Sequence, residues 1–236
     1  MTLFRINDRR NTDINIGVAV LVMIFFNTLY STTAIAGANF EDGYYEWSLF
    51  YQTATPSIYI EPELNYGFFY ERQSGMTPSG STGPSAAANG SNHYIFFETS
   101  AGAANSENDV AVLAASTTWE NTIKNAGKMS FYYHMYGADI GTLAVEVNGS
   151  DNDNSGPYPY PWSDWQRVWE ISGQQHSSYY ASWSKITLNL DAIKASLGIN
   201  TIYSVRFKAI AKGGYRGDIA IDEIDWETSK NSTIGY

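Results

Sequence analysis

The chain of 236 residues contains no cysteine, only 3 histidines and 7 prolines, and 14 Lys and Arg against 24 Asp and Glu. The missing cysteine excludes disulfides, zinc-thiolate sites and thiol catalysis together. A net charge of −10 with so few cations excludes a nucleic-acid backbone as the main partner, because phosphate binding needs clustered Lys and Arg. Charged residues make up 16% of the chain and hydrophobic residues 44%, enough to build a substantial core, so intrinsic disorder is excluded as well. What the sequence does have is 18 Tyr, 7 Trp and 20 Gly. That mixture predicts a β-rich protein with tyrosine on its surface.

The N-terminal segment reads as an address. Arg5, Arg9 and Arg10 precede an uncharged apolar run from Ile16 to Phe26, and a polar stretch then ends in Ala34-Ile35-Ala36, a small-x-small site before Gly37. This is the three-part grammar of a secretory signal peptide, predicted over 1–36. The run is too short to cross a bilayer alone. Extended through Ile35 it makes a marginal uncleaved anchor, a reading weakened by Asn27, Thr28, Ser31, Thr32 and Thr33. A core helix would leave the Arg flanks and the A-x-A site as coincidences. Cleavage after Ala36 removes three Arg and two Asp and leaves 200 residues with a net charge of −11. Export of a cysteine-free chain is common in bacteria and unusual for an animal ectodomain of this size.

The remainder reads as strands. Tyr94–Glu98, Met129–Tyr136, Thr142–Val147, Arg167–Ile171, Lys185–Leu190, Tyr203–Ala209 and Asp218–Trp226 are rich in β-branched and aromatic residues and closed by Gly, Asn, Ser or Pro turns. Leu143, Val145 and Val147 alternate with Thr142, Ala144 and Glu146. Only Asp191–Leu197 has helical character. Short strands at this spacing predict an all-β, two-sheet antiparallel sandwich in one domain over 37–228, with a short tail at 229–236. Two long turn-rich segments interrupt it, 75–92 and 148–165, and surface loops of that length tend to carry function.

Four stretches in register resemble the MAM domain, an extracellular module. Asn39-Phe40-Glu41-Asp42-Gly43 followed by Trp47 looks like its opening. The segment 72–85, ending Thr82-Gly83-Pro84-Ser85, is similar to a loop of bacterial members. Met129-Ser130-Phe131-Tyr132-Tyr133-His134-Met135-Tyr136-Gly137 with Gly141-Thr142-Leu143-Ala144-Val145 matches the most diagnostic signature, and Gly217-Asp218-Ile219-Ala220-Ile221-Asp222-Glu223-Ile224 matches the closing one. The resemblance implies a concanavalin A-like jelly roll with first and last strands adjacent, and a non-catalytic role in adhesion, oligomerisation or substrate positioning. Three departures stand out. The animal cysteines are absent, the acidic run before the first loop is replaced by Gly67-Phe68-Phe69-Tyr70, and the acidic position after the Gly-Pro turn is replaced by Ala86-Ala87-Ala88-Asn89.

By the resemblance, Glu41 and Asp222 are the positions of a structural cation, calcium before sodium. The plain alternative is that both carboxylates accept hydrogen bonds from turn amides. Asp151-Asn152-Asp153-Asn154-Ser155-Gly156 copies part of an EF-hand loop, but its twelfth position is Trp162 and Pro157, Pro159 and Pro161 forbid the exit helix. Glu223-Ile224-Asp225-Trp226-Glu227 places three carboxylates on one strand face, a pattern that in laminarinase-type glycoside hydrolases supplies nucleophile and acid/base. The MAM context already accounts for Asp222 and Glu223, and few residues follow Glu227. His134 reads as a packed or hydrogen-bonded residue, and no H-E-x-x-H spacing occurs. Tyr158, Tyr160, Trp162 and Trp165, with Trp169, Tyr179, Tyr180 and Trp183 nearby, form the candidate ligand-binding aromatic cluster, since exposed rings stack on sugars or anchor proteins. The function expected is a secreted or cell-surface interaction module binding a protein or glycan. A lectin-like carbohydrate-binding module is the alternative, with a hydrolase relative behind it.

Overall fold

The computed structural model describes residues 35–41, 47–49, 65–100, 104–115, 120–151 and 165–229. The expected signal segment lies outside these residues, apart from Ile35 and Ala36.

Among the described residues twelve strands form two six-stranded sheets, the sandwich that the strand pattern predicts. They are β1 Ile35–Ala38, β2 Trp47–Leu49, β3 Asn65–Phe68, β4 Tyr70–Gln73, β5 Tyr94–Phe97, β6 Asp109–Ala115, β7 Ala126–Met135, β8 Thr142–Ser150, β9 Gln166–Ser172, β10 Ser184–Asn189, β11 Thr201–Ile210 and β12 Ile219–Thr228. The first sheet runs β10-β7-β12-β5-β4, with β1 also on β12; the second runs β2-β6-β11-β8-β9, with β3 on β6. All pairs are antiparallel except β3 with β6. Strand β1 pairs Ile35 with Trp226 and Ala38 with Ile224, so the first and last strands are adjacent. Strand β1 crosses the expected boundary after Ala36, and cleavage there would leave Gly37 and Ala38 of it.

The core is the alternation made solid. Met129, Phe131, Tyr133 and Met135 of β7 face Leu143, Val145 and Val147 of β8 and Val205, Phe207 and Ala209 of β11 across the gap between sheets. Phe131 and Phe207 meet edge to face with centroids 4.9 Å apart. Two short helices close one end. The first, α1, is Glu120–Asn125, and α2 is Leu190–Leu197. The predicted helix at 191–197 is thus present. Asn189 caps it by accepting from the Ala192 amide, and Gly198 ends it in the left-handed conformation.

One strand departs from period two. Asp222 points to the outer face, yet Ile224 and Trp226 lie in the core, because the register with β7 shifts between Asp222 and Asp225 and Glu223 adopts φ 49°. This is a β-bulge, one extra residue that changes the side of everything after it.

Phe131→Ala removes a fully buried ring from the contact between the two sheets. It is expected to lower unfolding free energy by about 3–5 kcal/mol in urea titration. A loss below about 1 kcal/mol would contradict the cross-sheet packing.

Candidate functional site

The outer face of the first sheet is roofed. Tyr94, Phe96 and Ala220 point outward from β5 and β12 and form a small second core with Ala87 and Trp183, which come from the loops 74–93 and 173–183. The Trp183 indole donates to Ala86 O at 2.9 Å, Gly83 N donates to Tyr136 O at 2.9 Å, and Ser85 N donates to Tyr179 O at 2.8 Å. The turn-rich segment 75–92 is therefore a fastened cover.

Glu41 and Asp222, the cation candidates, are two of its fasteners. Asp222 Oδ2 accepts from Ala88 N at 2.9 Å and Ser91 Oγ at 2.8 Å, and its Oδ1 accepts from Glu223 N at 2.8 Å. Glu41 Oε1 accepts from Asn92 N and His93 N, while Oε2 faces Asn92 Nδ2 and His93 Nδ1. The amides of His93 and Asn92 hold the Glu41 carboxyl down at about 2. These donors fill the lone pairs of Glu41 and three of the four on Asp222. A hard cation, which seeks about six or more oxygens, would have to displace them. The residues present do not fit the ion in this arrangement; they fit the turn-amide alternative. Calcium addition or chelation is accordingly expected to leave the melting midpoint unchanged, and a calcium-dependent rise in differential scanning fluorimetry would show these oxygens to be open to metal.

A third carboxylate fastens the cover at its other end. Asp218 is fully buried; its Oδ1 accepts from Thr99 N and Thr99 Oγ1, and its own amide donates to Thr82 Oγ1 at 2.9 Å. Burial, reinforced by the nearby Glu98 carboxylate, pushes Asp218 up to about 7. Burial does the same to Asp222, again to about 7, against the opposing pull of its donors. An acid raised this way is protonated in the folded state over a range where the unfolded chain has released the proton. Its contribution is therefore intact below the ordinary value of 3.8 and is lost as pH rises toward 7. Asp218→Asn, which keeps one acceptor and cannot ionise, is expected to flatten the pH dependence of the melting midpoint between about pH 4 and 7 and to stabilise the protein at pH 8 by on the order of 1–3 kcal/mol. An unchanged slope would contradict the assignment.

His134 is buried, as its place in the β7 signature suggested. Its ring stacks on His176 at 4.3 Å, and burial together with that neighbour pushes it down to about 3, so it is neutral. Glu223, Asp225 and Glu227 alternate with the buried Ile224 and Trp226 and so share the outer side of β12, as the sequence pattern predicts. Glu223 occupies the bulge, and Glu227 is at the surface, 3.0 Å from Lys128 Nζ.

The outer face of the second sheet carries charge that sequence reasoning missed. Glu146 of β8, on the face opposite Leu143, Val145 and Val147, is buried; Arg206 Nε and Nη2 lie 2.6 and 2.5 Å from its Oε2, and Arg167 and Lys208 approach its Oε1. Trp165, one of the four aromatic-loop candidates, is half-buried with the Arg206 guanidinium 4.4 Å from its ring centre. Tyr158, Tyr160 and Trp162, and Asn152 to Gly156 of the EF-hand-like stretch, lie outside the described residues. Val147, Gly149, Gln166, Leu197 and Ile199 line a hollow of about 380 Å³.

Among the described residues the exposed large hydrophobic side chains are Met76, Tyr180 and Tyr215. Tyr180 packs on Tyr179 with centroids 4.5 Å apart, and Tyr179 meets Tyr136 at 5.9 Å. Tyr215 precedes Arg216, whose amide and Nε both donate to Asp139 Oδ2 at 3.3 Å. Gly137 makes this end close-packed: a Cβ there would lie 2.2 Å from Arg216 O.

The family model "MAM domain, meprin/A5/mu" matches residues 64–230. Neuropilin-1a of Danio rerio is 26% identical over 158 residues, covering 67% of this chain and 15% of the relative, so the match spans a small part of that longer protein. Among solved structures, the K1 cleaved adhesin domain of Lys-gingipain from Porphyromonas gingivalis is similar with a TM-score of 0.47 at 15% identity, covering 82% of this chain and 98% of that one. A non-crystalline cellulose specific carbohydrate-binding module gives 0.45 at 11% identity, with coverage of 83% and 96%.

Proposed function

The chain belongs to the MAM domain family, and from that premise we propose that it is a secreted or cell-surface interaction module that binds a protein or glycan partner without chemistry on it. The observation that carries the reading is how the reactive-looking groups are employed. Glu41, Asp222 and Asp218 hold the cover over the first sheet, Glu146 is enclosed by arginine and lysine, and His134 is buried and neutral. Among the described residues, the rings exposed on fastened loops are the tyrosines Tyr180 and Tyr215. Family membership supports an extracellular setting, and the Arg-flanked apolar run ending at Ala34-Ile35-Ala36 supports export.

The test uses the full chain immobilised on beads, offered to a glycan array and, separately, to beads carrying the same chain. Saturable binding in one of the two assays is expected, with the glycan recovered intact by mass spectrometry after overnight contact. Time-dependent cleavage of a bound glycan, or no binding in either assay, would overturn the reading.

A further inference from the structure

Resting on that reading, we propose that the partner is a neutral oligosaccharide and that it binds the tyrosine-bearing end of the sandwich, through Tyr180, Tyr215, Asp139 and Arg216. These residues sit on the 173–183 segment, the β7–β8 turn and the β11–β12 turn, which meet where β7 ends and β12 begins.

The first argument is that the rings are exposed and held. Tyr180 is 75% exposed and Tyr215 53% exposed. Neither is on a loose loop. The 173–183 segment is tied down by Gln175 N and His176 N, which both donate to Met135 O, and by Tyr179 O, which accepts from Ser85 N. Arg216 O accepts from Asp139 N at 3.0 Å. The packing of Tyr136 on Tyr179, and of Gly137 against Arg216, joins the two ring positions into one surface. A tyrosine already supported by its neighbour has little rotamer freedom left to lose, so contact with a ligand is not offset by ordering.

The second argument is chemical. A pyranose ring has a face of C–H groups that stacks on an aromatic ring, and hydroxyls around its edge that need paired donors and acceptors. Arg216 and Asp139 supply both next to Tyr215, and both are partly exposed, 41% and 24%. Tyrosine and arginine also anchor protein partners, but here the exposed rings stand beside a paired donor and acceptor and not around an apolar core: among the described residues the other exposed large hydrophobic side chain is Met76, on the 74–93 segment.

The third argument is charge. Asp139 and Arg216 neutralise each other, and the chain as a whole carries −10. An anionic glycan would approach against that net field, even with Lys212 exposed on the same turn, while a neutral one is unaffected.

The experiment is a neutral-oligosaccharide array on the full chain, followed by calorimetry of the best binder against Tyr180→Ala, Tyr215→Ala, Tyr180→Phe and Trp162→Ala, each with its melting midpoint measured. Each alanine variant at 180 and 215 is expected to weaken binding about tenfold, the size of one lost stacking contact, at an unchanged midpoint. Tyr180→Phe is expected to bind within about threefold of the parent, because the stacking face is kept. Affinity that survives both alanine changes, or that is lost in Trp162→Ala instead, would overturn the site. If no neutral oligosaccharide binds while beads bearing the chain still aggregate with one another, the glycan assignment falls and the interaction-module reading stands. Silence in both assays removes both.

Discussion

The bulge at Glu223 lets one strand satisfy two demands that period two would set against each other. Strand β12 must put Ile219 and Ile221 into the core at its start and Ile224 and Trp226 into the core at its end, while leaving Asp222 outside. Without the extra residue, Ile224 and Trp226 would face the outer side and two of the most buried apolar side chains would be lost to solvent. Because β12 also pairs with β1, β5 and β7, that local adjustment sets the register of half the first sheet. It also aims the Asp222 carboxylate at Ala88 and Ser91, which is what closes the cover.

The two sheets solve the problem of a second face differently. A sandwich of this width has an outer side on each sheet, and bare backbone ladders with scattered aromatics there would invite association. On the first sheet the segment 74–93 lies down as a roof, with Ala87 and Trp183 sealing Tyr94, Phe96 and Ala220 beneath it. Its fastenings are carboxylates that accept amide protons, and the low dielectric under the roof is what raises two of them. On the second sheet the covered groups are ionic: Glu146 receives the Arg206 fork at short range, and Trp165 lies against the same guanidinium. A buried pair of this kind contributes little net stability but is costly to break from one side.

Much of the fold was legible, and the reasons for the rest are specific. Strands with clean alternation, such as β8 and β11, and the capped helix at Leu190–Leu197 were readable because one face is apolar and the punctuation is unambiguous. Strand β6 was not, since Asp109-Val110-Ala111-Val112-Leu113-Ala114-Ala115 is buried on both faces and half alanine, which erases period two and lowers strand propensity. The site was less legible. Parity placed Glu146 on the outer face correctly, but parity cannot say that an outer face is covered. Glu41 and Asp222 were recognisable as a pair by family resemblance, while their donors, the amides of Ala88, Asn92 and His93, carry no side-chain signature. Tyr180 and Tyr215 are separated by many residues in sequence, and only the packing at Gly137 brings their loops to one end.

The pairing of Ile35 with Trp226 has a consequence for how the molecule comes into being. Strand β1 finds its partner only when β12, nearly two hundred residues later, has been made, and β12 in turn is the seat on which β5 and β7 complete their ladders. Contacts of such long sequence separation form slowly and late, because a loop of nearly the whole chain must close before they repay its entropy. The first sheet therefore cannot be assembled piecemeal from the N-terminus. Synthesis must run through Thr228 before the central strand exists, so a truncation that removes β12 would leave the β10-β7 and β5-β4 pairs without the strand that joins them and the roof without Asp222.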